Sequence, residues 1–314
     1  MRPPLPPADL DLVLSQTLEV WRQFCGARLF MTGGTGFIGS WLLEVLERAN
    51  RLLGARIEIV VLSRNPDAAR ARAPTLFSDN SIQLVGGNAI DFDREIGSFD
   101  LCIHAAADVS SASQPAAQRA VFDGIVRGTA GVLDTCDRAG ARHVLVASSG
   151  AVYGTQPPEL PHIPEIYPNA PDPLVPSNGY GQGKRVAEWL ASEHAARTGA
   201  SVGIARIFAL VGPNLPLDGS FAAGNFIRDA LAGQPLSVNS DGRTLRSYLY
   251  IADACVWLLR ILGRGTGCRA YNVGSESAIS IAGLAQAVVR ASNVDVPVHV
   301  RNPVDAASPA QVTC

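Results

Sequence analysis

The 314-residue sequence lacks several features that would place it in a particular functional class. No apolar run reaches the length of a membrane span, and the proline-rich start "MRPPLPPADL" has no signal-peptide core. The 26 basic and 28 acidic residues nearly balance, and no long basic run occurs, which argues against a nucleic-acid partner. We therefore expect small molecules as partners, with neither nucleic acid nor membrane.

Cysteine is sparse and scattered. The six cysteines form no CxxC pair and no Cys/His cluster, so the sequence predicts neither a metal site nor a disulfide framework. Cys102 and Cys136 lie in apolar runs, which is typical of reduced cysteines in a core. This pattern predicts a cytoplasmic protein.

Apolar residues, in contrast, make up 47% of the chain and recur in short runs. Such runs are typical of strands buried on both faces of a parallel sheet, and longer helical patterns separate them. The alternation predicts an α/β fold with a doubly wound parallel sheet. The runs cover residues 27–34, 57–64, 82–88, 100–107, 143–150 and 201–208.

The pattern becomes irregular after residue 208, which predicts a small, discontinuous C-terminal lobe that binds substrate at the carboxyl edge of the sheet. An amphipathic helix is predicted over residues 9–24, and the ending "AASPAQVTC" looks abrupt, as in a truncated chain. The predicted units are an N-terminal extension (1–26), a nucleotide-binding domain (27–208, rejoined by 246–264) and a substrate-binding lobe (209–245 and 265–314).

The segment "TGGTGFIG" (32–39) joins the first strand to the first helix. Its residues Gly33, Gly36 and Gly39 have GxxGxxG spacing, with Phe37 and Ile38 between the last two. Such a turn brings backbone N–H groups and a helix N-terminus close to a pyrophosphate. After a first strand in an alternating chain, it predicts a Rossmann-type site for NAD or NADP; the alternative is a tight turn that binds nothing.

The end of the second strand bears on the choice of cofactor. Folds of this type usually place an acid there to hold the adenosine ribose, but Ser63 and Arg64 are followed by no acid until Asp67. A guanidinium and a hydroxyl suit a 2′-phosphate, which favours NADP over NAD. Alternatively, Arg64 stacks on adenine or faces solvent.

A tyrosine and a lysine, Tyr180 and Lys184, are spaced to share one helix face in "SNGYGQGK". A free phenol has a pKa near 10, and a nearby ammonium together with an oxidised nicotinamide favours the phenolate. Ser148 and Ser149, at a neighbouring strand end, offer a hydroxyl to hold the substrate oxygen. A Tyr/Lys pair alone more often reflects surface packing, but together with the nucleotide turn it predicts a proton-transfer site.

Several of these motifs together resemble a known family. The segments "TGGTGFIG", "HAAA", "SSGAVYG", "YGQGK" and "GNFIRDAL…RSYLYIAD…AYNVGS" are similar to the extended short-chain dehydrogenases/reductases that act on nucleotide sugars. This group is the NAD-dependent epimerase/dehydratase family, which includes UDP-galactose 4-epimerase. The likeness extends from residue 28 to about 290.

This resemblance implies roles for individual residues. Tyr180 would be the catalytic base, Lys184 would hold the ribose, and Ser149 would be the hydroxyl partner. The resemblance further implies that Ala105, Ala106 and Ala107 pass along the cofactor, and that Asn225 and Arg246 contact the nucleotide diphosphate. The helix over residues 119–140 would form a homodimer interface; its alternative role is only to cover the sheet.

Three glycines surround the tyrosine, at positions 179, 181 and 183. They either let sugar and nicotinamide approach closely or let helices pack closely. His104, before the alanines, is interpreted as a core histidine that satisfies a backbone group, with a catalytic base as the alternative. His162 and Glu165, in a proline-rich loop, either contact substrate or are solvated.

One departure from the family pattern guides the functional prediction. Relatives that dehydrate or decarboxylate a sugar carry an acid just after the catalytic hydroxyl, whereas Gly150 and Ala151 stand here. Loss of water or carbon dioxide is therefore disfavoured, and the overall likeness to the epimerases of the family favours a nucleotide-sugar 4-epimerase. An NADPH-dependent nucleotide-4-keto-sugar reductase is the alternative enzyme. The alternative that is not an enzyme is a non-catalytic protein that senses NAD(P).

Overall fold

A computed structural model describes residues 2–106, 114–219, 221–264 and 267–301 of the chain. The strands within these residues are as follows. They are β1 (Arg28–Thr32), β2 (Glu58–Ser63), β3 (Ile82–Gly86), β4 (Leu101–His104), β5 (His143–Ser149), β6 (Ser201–Ile207), β7 (Ala209–Val211), β8 (Leu236–Val238), β9 (Leu245–Tyr250), β10 (Cys268–Val273), β11 (Ala278–Ser280) and β12 (Val298–Val300).

Seven of these strands form one parallel sheet in the order β10-β6-β5-β4-β1-β2-β3. The chain runs outward from β1 to β3 and then crosses back to β4 on the other side of β1. The doubly wound Rossmann-type prediction is therefore confirmed. Because the strands are parallel, the turns after β1 and β4 lie at the same carboxyl edge. The strand order reverses between them, and such sheets bind ligands at that point.

Helices cover both faces of the sheet. The α-helices within the described residues are α1 (Pro7–Gln16), α2 (Leu18–Gln23), α3 (Phe37–Leu53), α4 (Pro66–Arg72), α5 (Pro74–Phe77), α6 (Gln118–Ala139), α7 (Gly179–Thr198), α8 (Ala222–Leu231), α9 (Ile251–Gly263) and α10 (Ile281–Ser292). One hydrophobic cluster packs α1, α2, α3 and α9 on one face, and another packs α6 and α7 on the other. None of the helices in the described part of the chain is both long and apolar enough to span a membrane.

The N-terminal extension differs from its prediction as a single helix over residues 9–24. Two helices form, and they meet at Thr17, where the backbone leaves helical geometry (φ −127°, ψ 28°). The Thr17 hydroxyl donates to the Val13 carbonyl at 2.6 Å, and its N–H bonds to the Leu14 carbonyl. A threonine hydroxyl that bonds the carbonyl four residues earlier weakens and bends a helix, and the break lies at this residue.

The division of the chain into a sheet domain and a lobe stays a prediction, but the structure shows which sheet each strand of the predicted lobe joins. β9 pairs with β7 and β11 in a separate three-stranded sheet, whereas α9 packs against the main core. The strand β10, which lies within the predicted range of the lobe, pairs in parallel with β6 of the main sheet. As an edge strand it is only partly buried, so its sequence lacks the continuous apolar run that identified the other six.

Candidate functional site

The turn after β1 can fold only with glycine at two of its positions. Gly33 has φ +74°, and a Cβ there would lie 2.4 Å from the Ala105 carbonyl carbon. A Cβ on Gly39 would lie 2.1 Å from the Gly33 carbonyl oxygen. At Gly36 the nearest atom to a Cβ is the Gly33 oxygen at 3.3 Å. Gly33 and Gly39 therefore shape the turn, and Gly36 leaves space above it.

Helix α3 begins in this turn without a side-chain cap. Gly36 is the N-cap and offers no side chain to the first N–H groups, while Phe37 and Ile38 pack partly against the core. These backbone donors stay available to an anion, and the helix dipole favours negative charge there. The turn therefore fits the pyrophosphate of a dinucleotide such as NAD, as the sequence predicts.

A cleft of about 370 Å³ opens beside the turn, a size suited to part of a cofactor. It brings together Gly33, Gly36, Ser63, Arg64, Ala105 and Ala106 of the predicted cofactor site. Ala107 lies outside the described residues. The cleft is also lined by Asn88, Ala89 and Ile90 after β3 and by the first turns of α6, which the sequence analysis did not identify.

The end of β2 contributes polar side chains and no carboxylate to this lining. The Ser63 hydroxyl accepts the Asn65 N–H at 3.3 Å, and Arg64 is exposed at the cleft. Asp67, the first acidic residue after β2, pairs instead with Arg70 on α4. The chemistry of this end suits an adenosine ribose with or without a 2′-phosphate.

Tyr180 and Ser149 come together at the start of α7 and the end of β5. Tyr180 packs against the cluster of Val121 and Ile125, which line the cleft. Burial raises the pKa of the Tyr180 phenol, and a hydrogen bond with the Ser149 hydroxyl opposes that effect. The Ser149 oxygen also accepts the Ala151 N–H at 3.2 Å, which fixes its position. In the chain alone, Tyr180 is therefore a neutral phenol at neutral pH.

Lys184 lies one helical turn after Tyr180, with its Nζ 6.0 Å from the centre of the Tyr180 ring. The Nζ donates to the Ala147 carbonyl at 2.6 Å, and the side chain is buried. Burial lowers the pKa of Lys184 to about 8, and the charge of Glu188 opposes that shift. The helix geometry predicted for Tyr180 and Lys184 is thus present, whereas Ser149 is the group that lowers the pKa of Tyr180.

His104 lines the cleft as a buried, neutral side chain. Its Nδ1 lies 2.7 Å from the Thr32 hydroxyl and its Nε2 lies 3.2 Å from the Thr129 hydroxyl. Burial, and then the charge of Lys184, lower its pKa to about 3. The histidine is a core residue as interpreted from the sequence, but its partners are two hydroxyls rather than a backbone group.

The glycines around Tyr180 lie in close contacts between protein segments. A Cβ on Gly179 would lie 2.9 Å from the Gln118 carbonyl oxygen, and one on Gly181 would lie 2.7 Å from the Ala151 oxygen. A Cβ on Gly183 would lie 3.4 Å from Ile125 on α6. Of the two interpretations, this geometry supports close packing of α7 against its neighbours.

The predicted substrate contacts lie in the lobe, on α8 and β9. The Asn225 amide donates to the Gly219 carbonyl at 3.1 Å and accepts from Arg228 at 3.2 Å. Arg246 donates to the Leu245 carbonyl at 3.3 Å. Contact of Asn225 and Arg246 with a diphosphate stays a prediction.

The proline-rich loop after β5 presents its two titratable residues differently. His162 is exposed, whereas the Glu165 carboxylate accepts the Asn272 N–H at 3.0 Å. Glu165 therefore holds the loop against β10. Among the described residues, no group of three or more His, Cys, Asp or Glu side chains could hold a metal ion.

Sequence reasoning missed Gln118, Glu188 and Arg206, which surround the site. The Gln118 side chain accepts the Tyr180 N–H at 3.2 Å, and Glu188 and Arg206 form an ion pair at 2.7 Å. A signal for the ion pair existed. Arg206 is a charged residue in the apolar strand "SVGIARIF", and a buried charge needs a partner.

Comparison with known proteins places these features in a family. The sequence matches the NAD dependent epimerase/dehydratase family over residues 29–274. UDP-glucuronic acid decarboxylase 1 of Arabidopsis thaliana is 29% identical over 83% of this chain and 57% of that protein. The chain thus spans less than two thirds of the length of this relative.

Solved structures share the fold. UDP-glucuronic acid 4-epimerase from Bacillus cereus, solved with UDP-glucuronic acid and NAD, has a TM-score of 0.72 and 21% identity over 87% of this chain and 85% of that one. The NAD-dependent NDP-hexosamine 5,6-dehydratase TunA has a TM-score of 0.70 and 24% identity, covering 90% of this chain and 88% of that one. With the glycine-rich turn and the Ser149, Tyr180 and Lys184 side chains in place, the chain belongs to the NAD-dependent epimerase/dehydratase family.

Proposed function

We propose that the chain is a nucleotide-sugar 4-epimerase that uses NAD. The observation that carries the proposal is the hydrogen-bonded pair of Tyr180 and Ser149 beside the cofactor cleft, followed by two residues without a titratable side chain. At the first of these, Gly150, a Cβ would lie 2.9 Å from the Phe208 ring, so any side chain there would have to displace that ring.

The roles of the chain follow from this geometry. The Ser149 hydroxyl binds the C4 oxygen of the sugar, and Tyr180 removes its proton and later returns it. Bound NAD supplies the hydride acceptor and donor, together with a positive ring charge that favours the Tyr180 phenolate. Lys184 holds the ribose and keeps a positive charge near the phenol. Rotation of the 4-keto sugar in the site, before the hydride returns, would present the opposite face of C4. The carbon would then be inverted.

The decarboxylases and dehydratases among its relatives define the reactions to be distinguished. Loss of water or carbon dioxide after oxidation needs further proton transfers on the sugar, and so further titratable groups facing it. Ala151 offers none, and the Glu165 carboxylate is engaged by the Asn272 backbone. Inversion needs no acid or base beyond Tyr180, so the side chains at this site favour it.

Product masses test the proposal directly. The protein, supplied with NAD, is incubated with a panel of UDP-, dTDP-, CDP- and GDP-linked hexoses and hexuronates, and products are followed by mass spectrometry and NMR. We expect an unchanged mass with a new C4 configuration for at least one substrate. A product lighter by water or carbon dioxide would contradict the proposal and point to the loop of His162 and Glu165 as the source of a base.

A second candidate, an NADPH-dependent 4-keto-sugar reductase, is favoured by one observation. Arg64 lines the cleft at the end of β2, where no acid is present to hold a ribose diol. A guanidinium there suits a 2′-phosphate. The NAD dependence of the family argues against this preference. A product heavier by two hydrogens from a 4-keto substrate and NADPH would establish it.

We further propose that the chain is a cytoplasmic protein, as its scattered cysteines indicate, and a homodimer. The family resemblance implies an interface through α6, and we extend that interface to the neighbouring α7. Trp189 on α7 is 65% exposed in the single chain. Sedimentation of the wild type beside Trp189→Asp tests the dimer, with Trp257→Asp on α9 as the control. A monomeric wild type would contradict it.

A further inference from the structure

A buried ion pair lies beneath the catalytic side chains. The Arg206 guanidinium on β6 donates to the Glu188 carboxylate on α7 from two nitrogens, at 2.9 and 2.7 Å. The two side chains are only 15% and 13% exposed. Ser148 adds a third bond, because its hydroxyl donates to Glu188 at 2.6 Å. The carboxylate is therefore fixed by donors from two strands.

Two hydrogen bonds hold α7 against the end of β5, at the consecutive β5 residues Ala147 and Ser148. Lys184 donates to the carbonyl of Ala147, and Glu188, one turn later, accepts from Ser148. The next residue is Ser149. The relative placement of Ser149 and the face of α7 that bears Lys184 is thus set by two adjacent hydrogen bonds.

Arg206 also bonds to two residues of the segment that follows Ser149, Tyr153 and Glu165. The guanidinium donates to the Tyr153 hydroxyl at 2.7 Å and to the Glu165 carbonyl at 2.9 Å. Tyr153 in turn donates to the Asn272 side chain at 2.7 Å. One ion pair therefore links α7 to β5, β6 and β10 and to the loop after β5.

Stability alone is a weak reason for such a pair. Removing two charges from water costs about as much as their attraction returns, and well-packed apolar residues of similar volume often serve as well. We propose that Glu188 is a positioning residue that holds Lys184 in place as an ammonium for the reaction proposed above, on which this inference rests. Arg206 acts through Glu188, whose carboxylate it fixes.

The charges around Lys184 show why Glu188 is needed. The ammonium is buried, and burial disfavours its charge. His104 on β4 is neutral and Tyr180 is a neutral phenol, so neither compensates it. Glu188 supplies the negative charge that raises the pKa of Lys184 toward its value of about 8. Without Glu188, a larger fraction of Lys184 would be neutral at neutral pH.

The sequence offers an unusually direct test, because Lys184 is the single lysine among the 314 residues. Protein grown with ¹³C-labelled lysine gives one lysine Cε signal in NMR, and its titration reports the pKa of Lys184 alone. The measurement is made on the wild type, Glu188→Gln, Glu188→Asp and a control, Glu193→Gln. Glu193 lies on the same helix and pairs with Arg197 at the surface.

We expect the pKa of Lys184 to fall by about one pH unit in Glu188→Gln, as for the loss of a neighbouring opposite charge. Glu188→Asp and Glu193→Gln should titrate close to the wild type. An unchanged pKa in Glu188→Gln would overturn the proposal.

A double variant guards against misfolding, since Glu188→Gln leaves Arg206 without its charged partner. Glu188→Gln combined with Arg206→Met removes both charges and should show the same direction of change, because Glu188 is the charge that acts on Lys184. The titration needs no substrate. Failure of every nucleotide sugar to react would therefore defeat the proposed function without altering this result.

Discussion

The Gln118 side chain on α6 accepts a hydrogen bond from the backbone N–H of Tyr180 on α7, at 3.2 Å. Helix α7 has no cap of its own, because Asn178 makes no side-chain bond to its first turn. The first free N–H groups of a helix need acceptors. The acceptor here comes from a neighbouring helix, so the position of the proposed base depends on α6.

Gln118→Leu should therefore lower kcat roughly tenfold to a hundredfold by misplacing Tyr180, with a smaller effect on NAD affinity. Gln118→Glu retains an acceptor and should recover most of the activity. Gln114→Leu, at an exposed position four residues earlier, is the control. Steady-state kinetics on the substrate found by product analysis measures all three. Equal activity in Gln118→Leu and Gln114→Leu would show that the cap does not position the tyrosine.

Tyr180→Phe should lower turnover by about 10²–10⁴-fold, the usual contribution of a positioned acid–base group. NAD affinity should change little, because the substitution removes only the hydroxyl. Calorimetry measures the binding and steady-state kinetics the turnover. Activity within tenfold of the wild type would disprove the role of Tyr180. A protein that binds NAD but turns over no nucleotide sugar, with or without the tyrosine, would instead support the sensing alternative.

The sequence was sufficient for the fold because its strands are buried on both faces. Six of the seven strands of the sheet have continuous apolar runs, and the glycine turn marks β1 as the first. The seventh, β10, lies at an edge and is only partly buried, so periodicity could not identify it. Local sequence likewise could not show that Thr17 would break the N-terminal helix in two.

The site was predictable where one motif supplies the geometry. The i, i+4 spacing of Tyr180 and Lys184 placed both on one helix. Gln118 and Arg206 could not be placed, because their partners Tyr180 and Glu188 are distant in sequence and meet only through tertiary packing. The pKa of Tyr180 is raised because the side chain is buried. A sequence motif does not show burial, so this direction could not be predicted.

Arg64→Ala separates the two cofactors. If Arg64 contacts a 2′-phosphate, the variant should lose about tenfold in affinity for NADP and little for NAD, because an exposed charge-assisted contact is worth a modest amount. Fluorescence titration with both cofactors measures the change, and Arg70→Ala on α4 is the control. Equal losses for NAD and NADP would show that Arg64 does not distinguish them.

His104 should make the protein less stable in acid. Its pKa is about 3 in the fold and near 6.5 in an unfolded chain, so below about pH 6.5 the unfolded chain binds the extra proton. The free energy of unfolding should then fall as pH falls, by up to about 1.4 kcal/mol per pH unit from this group. The free energy of unfolding is measured with denaturant between about pH 4 and pH 7. Its dependence on pH should be weaker in His104→Gln than in the wild type. His162→Gln, at an exposed position, should keep the pH dependence of the wild type. An unchanged pH dependence in His104→Gln would contradict the interpretation of His104 as a buried, neutral histidine.

The N-terminal helices should contribute to the stability of the whole domain. Leu14 on α1 is 4% exposed and packs in the cluster that includes α3 and α9, whereas Leu12 on the same helix is 40% exposed. Leu14→Ala should lower the free energy of unfolding by about 2–5 kcal/mol, and Leu12→Ala by no more than about 0.5 kcal/mol. Guanidinium unfolding measures both, and a single transition in each variant shows that α1 unfolds with the sheet. Similar losses for the two variants, or a separate early transition, would mean that α1 lies on the domain without being part of its core.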